Sequence, residues 1–187
     1  MEVERLRKRR IPTPRSAADS VARGCTALLI ILTGLISPAR SLASNDYPIA
    51  VVVADFDNVD TSGEAADRTA HHAVRVRDFS SLLREGLASA ANYKVLRLEC
   101  DKPTCSVGSL GADALISAAR RSRARILVYG GIHKMSTLIQ LGEMQAVDLD
   151  RAQLLVRRSF TFRGDSDDAF RHAAGFISDS LKEITLR

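Results

Sequence analysis

Beyond residue 43 this sequence has no apolar run long enough to cross a bilayer, no low-complexity tract and no internal repeat. A membrane span and a repeat array are thereby excluded for that region. It also lacks a surplus of basic charge. The whole chain carries 27 Lys and Arg against 22 Asp and Glu. Eight of those cations and three of the anions lie at or before Ala43, so nineteen of each remain. The basic excess belongs to the leader, and a case for nucleic-acid binding built on the net charge of +5 fails. Cysteine is scarce, with three in the chain and only Cys100 and Cys105 past residue 43. The four histidines have no metal-motif spacing, and Walker-type glycine spacing is absent.

What the leader does contain is an export signal. Arg5, Arg7, Lys8, Arg9, Arg10, Arg15 and Arg23 form a long positive region ahead of the apolar run Thr26 to Ile36. That run has the length of a signal-peptide core, and Pro38 and Ser41-Leu42-Ala43 follow as a processing site. Residues 1–43 are expected to be a signal peptide cleaved after Ala43, with an uncleaved anchor as the alternative. Cys25 precedes the apolar run, so it is not a lipobox cysteine, and Arg9-Arg10 is a poor twin-arginine match. A translation start nearer Val21 would shorten the positive region. Residues 44–187 are then one periplasmic or secreted domain of 144 residues, long enough for a single core. In such an oxidising compartment Cys100 and Cys105, flanking Asp-Lys-Pro-Thr, read as a short-loop disulfide. The competing reading is half of a zinc site, which would need further ligands at regular spacing.

The pattern of elements points to an α/β (α+β) domain. Ile49 to Ala54 is a short β-branched run suited to a buried strand. The polar stretch from Asp55 to His72 reads as a long irregular segment, with turn chemistry at Asn58 and Ser62-Gly63. Val76, Phe79, Leu82, Leu83, Leu87 and Ala90 recur at helical spacing, with Asn92 as C-cap. Tyr93 to Leu98 is a second strand, and Ser109 can cap a helix carrying Leu115, Ile116 and Ala119. Ile126 to Ile132, Leu138 to Leu149 and the alternating segment from Leu154 to Phe162 give three more strands. Asp165 or Ser166 caps a last helix with Phe170, Ala173, Ala174, Ile177, Leu181 and Ile184 on one stripe. The order is β-α-β-α-β-β-β-α. Helical crossovers imply parallel pairing of the early strands, and short connections imply hairpins later. One mixed sheet of about five strands with helices packed on it is expected.

Four clusters invite chemistry. Gly130-Gly131 in "LVYGGIHKMSTLIQ" marks a bulge, a bend or a close backbone approach, because a strand rather than a helix follows it. His133, Lys134, Met135 and Ser136 then form a polar hairpin tip, since neighbouring strand residues point to opposite faces and cannot cooperate in catalysis. Asp55, Asp57 and Asp60 resemble a calcium loop only partly: the sixth position is Asp60 where that loop needs glycine. Arg163-Gly164-Asp165 invites an adhesion reading, but a turn out of a strand with Arg163 paired to an acidic neighbour accounts for it. His71-His72 reads as a solvated loop pair, and His172 as an exposed helix residue.

Two resemblances add to this. "IAVVVADFDNVDTSGE", followed by helix, strand, helix and strand, resembles the N-terminal domain of the translocation protein TolB. Phe56, Asn58, Ser62 and Gly63 match its Phe-x-Asn-x-Ser-Gly stretch loosely. "LVYGGIHKMSTLIQ" and "FTFRGDSDDAF" are similar to a family of small secreted Gram-negative proteins of unknown function, over roughly Ile49 to Leu181. The first resemblance implies the fold; the second implies an association with periplasmic oxidation systems and brings no catalytic residues.

The expectation is a non-enzymatic periplasmic binding or accessory module with no cofactor and no metal. Its partner would be another periplasmic or envelope protein. Its contact surface would combine the loop from Asp57 to His72, including Asn58 and Asp60, with the Gly131 to Thr137 tip and with Arg163 and Asp165. The alternative is a small periplasmic hydrolase or ligand-binding enzyme using Asp55, Asp57 and His133.

Overall fold

The computed structural model describes residues 48–184; the expected leader at residues 1–43 and its cleavage site lie outside them. β1 (Ile49–Val53) and β2 (Asp57–Asp60) precede the long helix α1 (Ala66–Ala88). β3 (Tyr93–Val95), the single turn α2 (Val107–Leu110) and α3 (Ala112–Arg121) follow. β4 (Ile126–Lys134), β5 (Ile139–Asp148) and β6 (Gln153–Arg163) then lead to α4 (Asp167–Lys182). β1 pairs in parallel with β3 and β4, while β4–β5 and β5–β6 are antiparallel, as the crossovers and short connections require.

The sheet is mixed and has six strands in the order β3-β1-β4-β5-β6, with β2 added on β4. Two expectations change here. The polar stretch after β1 is not irregular: β2 pairs in parallel with β4 from Asp57↔Gly131 to Asp60↔Lys134. α1 then begins at Ala66, so His71 and His72 are helical and His72 is fully buried. The apolar stripe Val76, Phe79, Leu83 and Leu87 runs back one turn to His72, which packs edge-on against Phe170 at 5.6 Å.

β4 is one uninterrupted strand that changes neighbours from β1 to β2, and the change explains its glycines. Val53 pairs with Val128 and Asp57 with Gly131, so four steps on one side match three on the other. The surplus residue is a bulge at Asp55-Phe56. Its amides stay satisfied: Asp55 N–H donates to the Cys105 carbonyl at 2.9 Å and Phe56 N–H to Ser80 Oγ at 2.9 Å. The Phe56 ring drops onto Gly130, where a Cβ would stand 2.7 Å from it and 2.1 Å from the Glu143 carbonyl. Close approach, rather than a kink, is the reason for glycine there.

Helices α1 and α4 cover one face of the sheet, over a core built on Phe79, Leu83, Ile132, Met144, Phe170 and Ile177. α3 covers the other face only over β1 and β4, through Leu115, Ala119 and Leu127. On β6 a register shift opposite Ala146/Val147 turns Leu154 to water while Leu155 and Val156 both pack on the core. The strict alternation expected of this strand therefore fails at its start. The caps before α3 move, with Ser106 capping α2 by accepting from Ser109 N–H and Gly111 preceding α3, while Ser166, one of the two residues expected to cap α4, does so by accepting from Ala169 N–H. α1 ends earlier than expected, with Ser89 rather than Asn92 as its C-cap.

Candidate functional site at the β4–β5 hairpin

Asp60, Glu64, His72, Lys134 and Asp165 converge beneath the hairpin. The Lys134 side chain is 0% exposed. It lies on the face shared by α1 and α4 because Ile132 and Lys134, two apart on β4, point the same way. Its ammonium donates to Glu64 Oε2 and, at 2.7 Å, to Asp165 Oδ2. Asp165 Oδ1 also meets His72 Nδ1 at 3.0 Å and Arg75 at 3.1 Å. Burial alone would lower the Lys134 pKa, but the hydrogen bonds and charges of Asp165 and Glu64 outweigh it and hold the ammonium above its ordinary value. Burial likewise works to raise the Asp165 carboxyl, and the bonds and charges of Lys134 and His72 prevail to hold it below. Asp60 is depressed mainly by Ser62, whose hydroxyl and N–H both donate to Oδ1.

Lys134 and Asp165, expected at the surface, therefore belong to a buried ionic cluster that ties β4 to the starts of α1 and α4. Asp165 is not the cap of α4 but the cluster's hub. Lys134 is inside because it continues the inward row of β4 instead of beginning the turn. The turn is shorter than expected and spans Met135 to Leu138, with Ser136 Oγ accepting from Leu138 N–H at 3.3 Å and Ile139 N–H at 3.2 Å. Arg163, at the end of β6 opposite Ile139, has no ion pair among the described residues.

Outside the cluster, several residues of the hairpin end do face solvent. Asn58 and Met135 are exposed, and the half-buried His133 meets the Thr61 hydroxyl through Nε2 at 2.7 Å. Val59, His133, Leu141 and Thr161 form one cross-strand row on the sheet face that α3 leaves bare. Val59, Leu138, Ile139 and Leu141 are exposed around it. Sequence reading missed these apolar residues as surface features. The available signal was β5 itself, where Ile139 and Leu141 alternate with the inward Gly142, Met144 and Ala146.

The structure does not link Asp55, Asp57 and His133. Asp55 pairs with Arg84 at 2.6 Å and accepts Cys105 N–H at 2.9 Å. Asp57 accepts Gly108 N–H through both oxygens at 3.1 and 3.0 Å, and His133 meets Thr61. No hydrogen bond joins any two of the three, and a nucleophile–base–orienter relay needs such bonds. Asp55 also lines an open cleft of about 680 Å³ with Arg84, Arg97 and Lys102 beside the disulfide between Cys100 and Cys105. Among the described residues no group of three or more His, Cys, Asp or Glu is placed to hold a metal ion, and no helix is long and apolar enough to cross a membrane.

Several solved structures have a related arrangement at low identity. The C-terminal domain of LpoB from Salmonella enterica is 13% identical with a TM-score of 0.40, covering 60% of this chain and 81% of that one. TolB from Acinetobacter baumannii is 11% identical with a TM-score of 0.45, over 73% of this chain and 28% of that one. Lipoprotein GNA1162 from Neisseria meningitidis is 13% identical with a TM-score of 0.43, over 72% and 94%. No curated protein is significantly similar in sequence. A family model described as "Protein of unknown function (DUF2380)" matches residues 49–181, which spans β1 to the last turn of α4. This chain belongs to that family, DUF3280, a family of unknown function.

Proposed function

We propose that the domain is a non-catalytic accessory module of the cell envelope, exported by its N-terminal segment, that binds another envelope protein. One observation carries this reading: exposed large apolar side chains gather at the hairpin end of the sheet, where Leu138 is 66% and Met135 52% exposed. Scattered single apolar residues on a surface need no explanation, but a contiguous group rimmed by polar residues marks a binding site. The buried cluster of Lys134, Glu64 and Asp165 supports the reading differently. It ties both flanking helices to β4, which makes the hairpin a stiff platform that loses little entropy on docking. A photoreactive residue at Leu138 in the full chain, crosslinked in cells, tests it. A discrete envelope protein captured there, and lost on Leu141→Asp, is the expected result. Equal capture with and without Leu141→Asp would defeat the proposal. The captured protein's identity also tests the association with periplasmic oxidation systems.

A further inference from the structure

β6 ends the sheet, and no described strand pairs with its outer side. Gly164 N–H donates to the Leu138 carbonyl at 2.9 Å, which sets the phase of the β5–β6 ladder. Phe160 and Phe162 therefore direct their backbone groups to β5, while Ser159, Thr161 and Arg163 direct theirs outward. Exposed edges are usually blunted by short length, proline or a bulge. This strand runs eleven residues without proline, and its register shift lies at the far end, opposite Ala146/Val147.

Beside the outward backbone groups lies a groove of about 550 Å³ between β6 and α4, with Phe160, Phe162 and Ala173 lining it. Phe176 also lines it and stays 53% exposed, although Phe170, Ile177 and Leu181 of the same helix are buried. The charges here have one sign. Arg163 and His172 line the groove without any carboxylate, and the Arg158 guanidinium sits 5.7 Å above the Phe176 ring. The groove adjoins the hairpin patch, because Arg163 is the cross-strand partner of Ile139.

We infer that the free edge of β6 receives an acidic, extended segment of a partner protein by strand addition. The segment's backbone pairs with Ser159, Thr161 and Arg163. Its alternate apolar side chains enter the groove against Phe176, and its carboxylates, on the opposite face of the added strand, meet Arg163. A second copy of β6 is a poor occupant, since the strand carries Arg157, Arg158 and Arg163 and no carboxylate, so that two copies would bring like charges together. The inference rests on the binding-module reading and names the partner's chemistry.

The test uses the full chain and the peptide acetyl-Glu-Val-Asp-Phe-Glu-Val-amide, with a control carrying Lys at each acidic position. The acidic peptide is expected to bind and to slow amide exchange at Ser159, Thr161 and Arg163. Thr161→Pro, which deletes an outward N–H that the β5–β6 ladder does not use, should weaken it by about tenfold. Phe176→Asp should weaken it by a similar factor, and the lysine peptide should bind at least about tenfold more weakly. Absence of binding, equal binding of the two peptides, or binding indifferent to Thr161→Pro overturns the inference. Crosslinking at Leu138 that depends on Leu141, alongside a failed titration, would remove strand addition and leave the binding module standing.

Discussion

Replacing Lys134 with Met keeps the length of the side chain and removes the only charge that Glu64 and Asp165 share. Lys134 is wholly buried and the two carboxylates nearly so, at 10% and 14% side-chain exposure. Breaking a buried pair from one side leaves uncompensated charge and costs about 3–5 kcal/mol. Arg75 and His72 still face Asp165, whereas Glu64 keeps only the longer contact to the exposed Arg68 at 3.8 Å, so the middle of that range is expected. At roughly 4 °C per kcal/mol for a domain of this size, the melting temperature should fall by about 15 °C at pH 7. The pH dependence is the sharper check. Asp165 has a lowered folded pKa, so its contribution is present above the unfolded value of about 3.9 and is lost as pH falls through the folded one. Lys134 has a raised folded pKa, so its contribution is complete below about 10.4 and is lost as pH rises through the folded one. Differential scanning calorimetry of both proteins should therefore show the gap widest between about pH 5 and 9 and closing toward pH 3. A fall under about 3 °C, or a gap unchanged at pH 3, would refute the assignment of Lys134 as the cluster's cation.

Two further outcomes follow from other contacts. Gly130→Ala puts a methyl 2.1 Å from the Glu143 carbonyl and should cost at least about 3 kcal/mol by urea unfolding, whereas Gly131→Ala, 3.2 Å from the Asp57 carbonyl, should cost clearly less. Reducing the bond between Cys100 and Cys105, five residues apart, should lower stability by about 2 kcal/mol on loop entropy alone, measured as a melting shift with and without dithiothreitol.

The mixed sheet was legible because its signals are strong and local. β1 is an unbroken β-branched run, α4 has a stripe with its cap, and the short connections around β5 force hairpins. β2 was invisible for the opposite reason. Asp57–Asp60 has the composition of a turn and becomes a strand only because β4 offers it a ladder beyond the end of β1. The two-histidine segment misled in the same way: polar residues at the start of α1 hid a helical period that includes His72. The ionic cluster joins positions 64, 72, 134 and 165, and nothing in a single sequence pairs residues so far apart. The hairpin tip was legible in position but not in depth. A lysine beside a turn reads as solvent-facing until the strand's phase shows that it continues the inward row.

The detour at Asp55-Phe56 is not required by the strand pairing on either side of it. A deletion of one residue between Val53 and Asp57 would leave three steps opposite three, so β2 could keep its partners on β4 without a bulge, with Val59 still on the bare face and Asp60 still turned inward. Ser80 and the Cys105 carbonyl would lose the amides they now accept from. The surplus residue therefore serves the contacts around it, seating Phe56 against Gly130 and its amide on Ser80, and does not decide which side of β2 meets water.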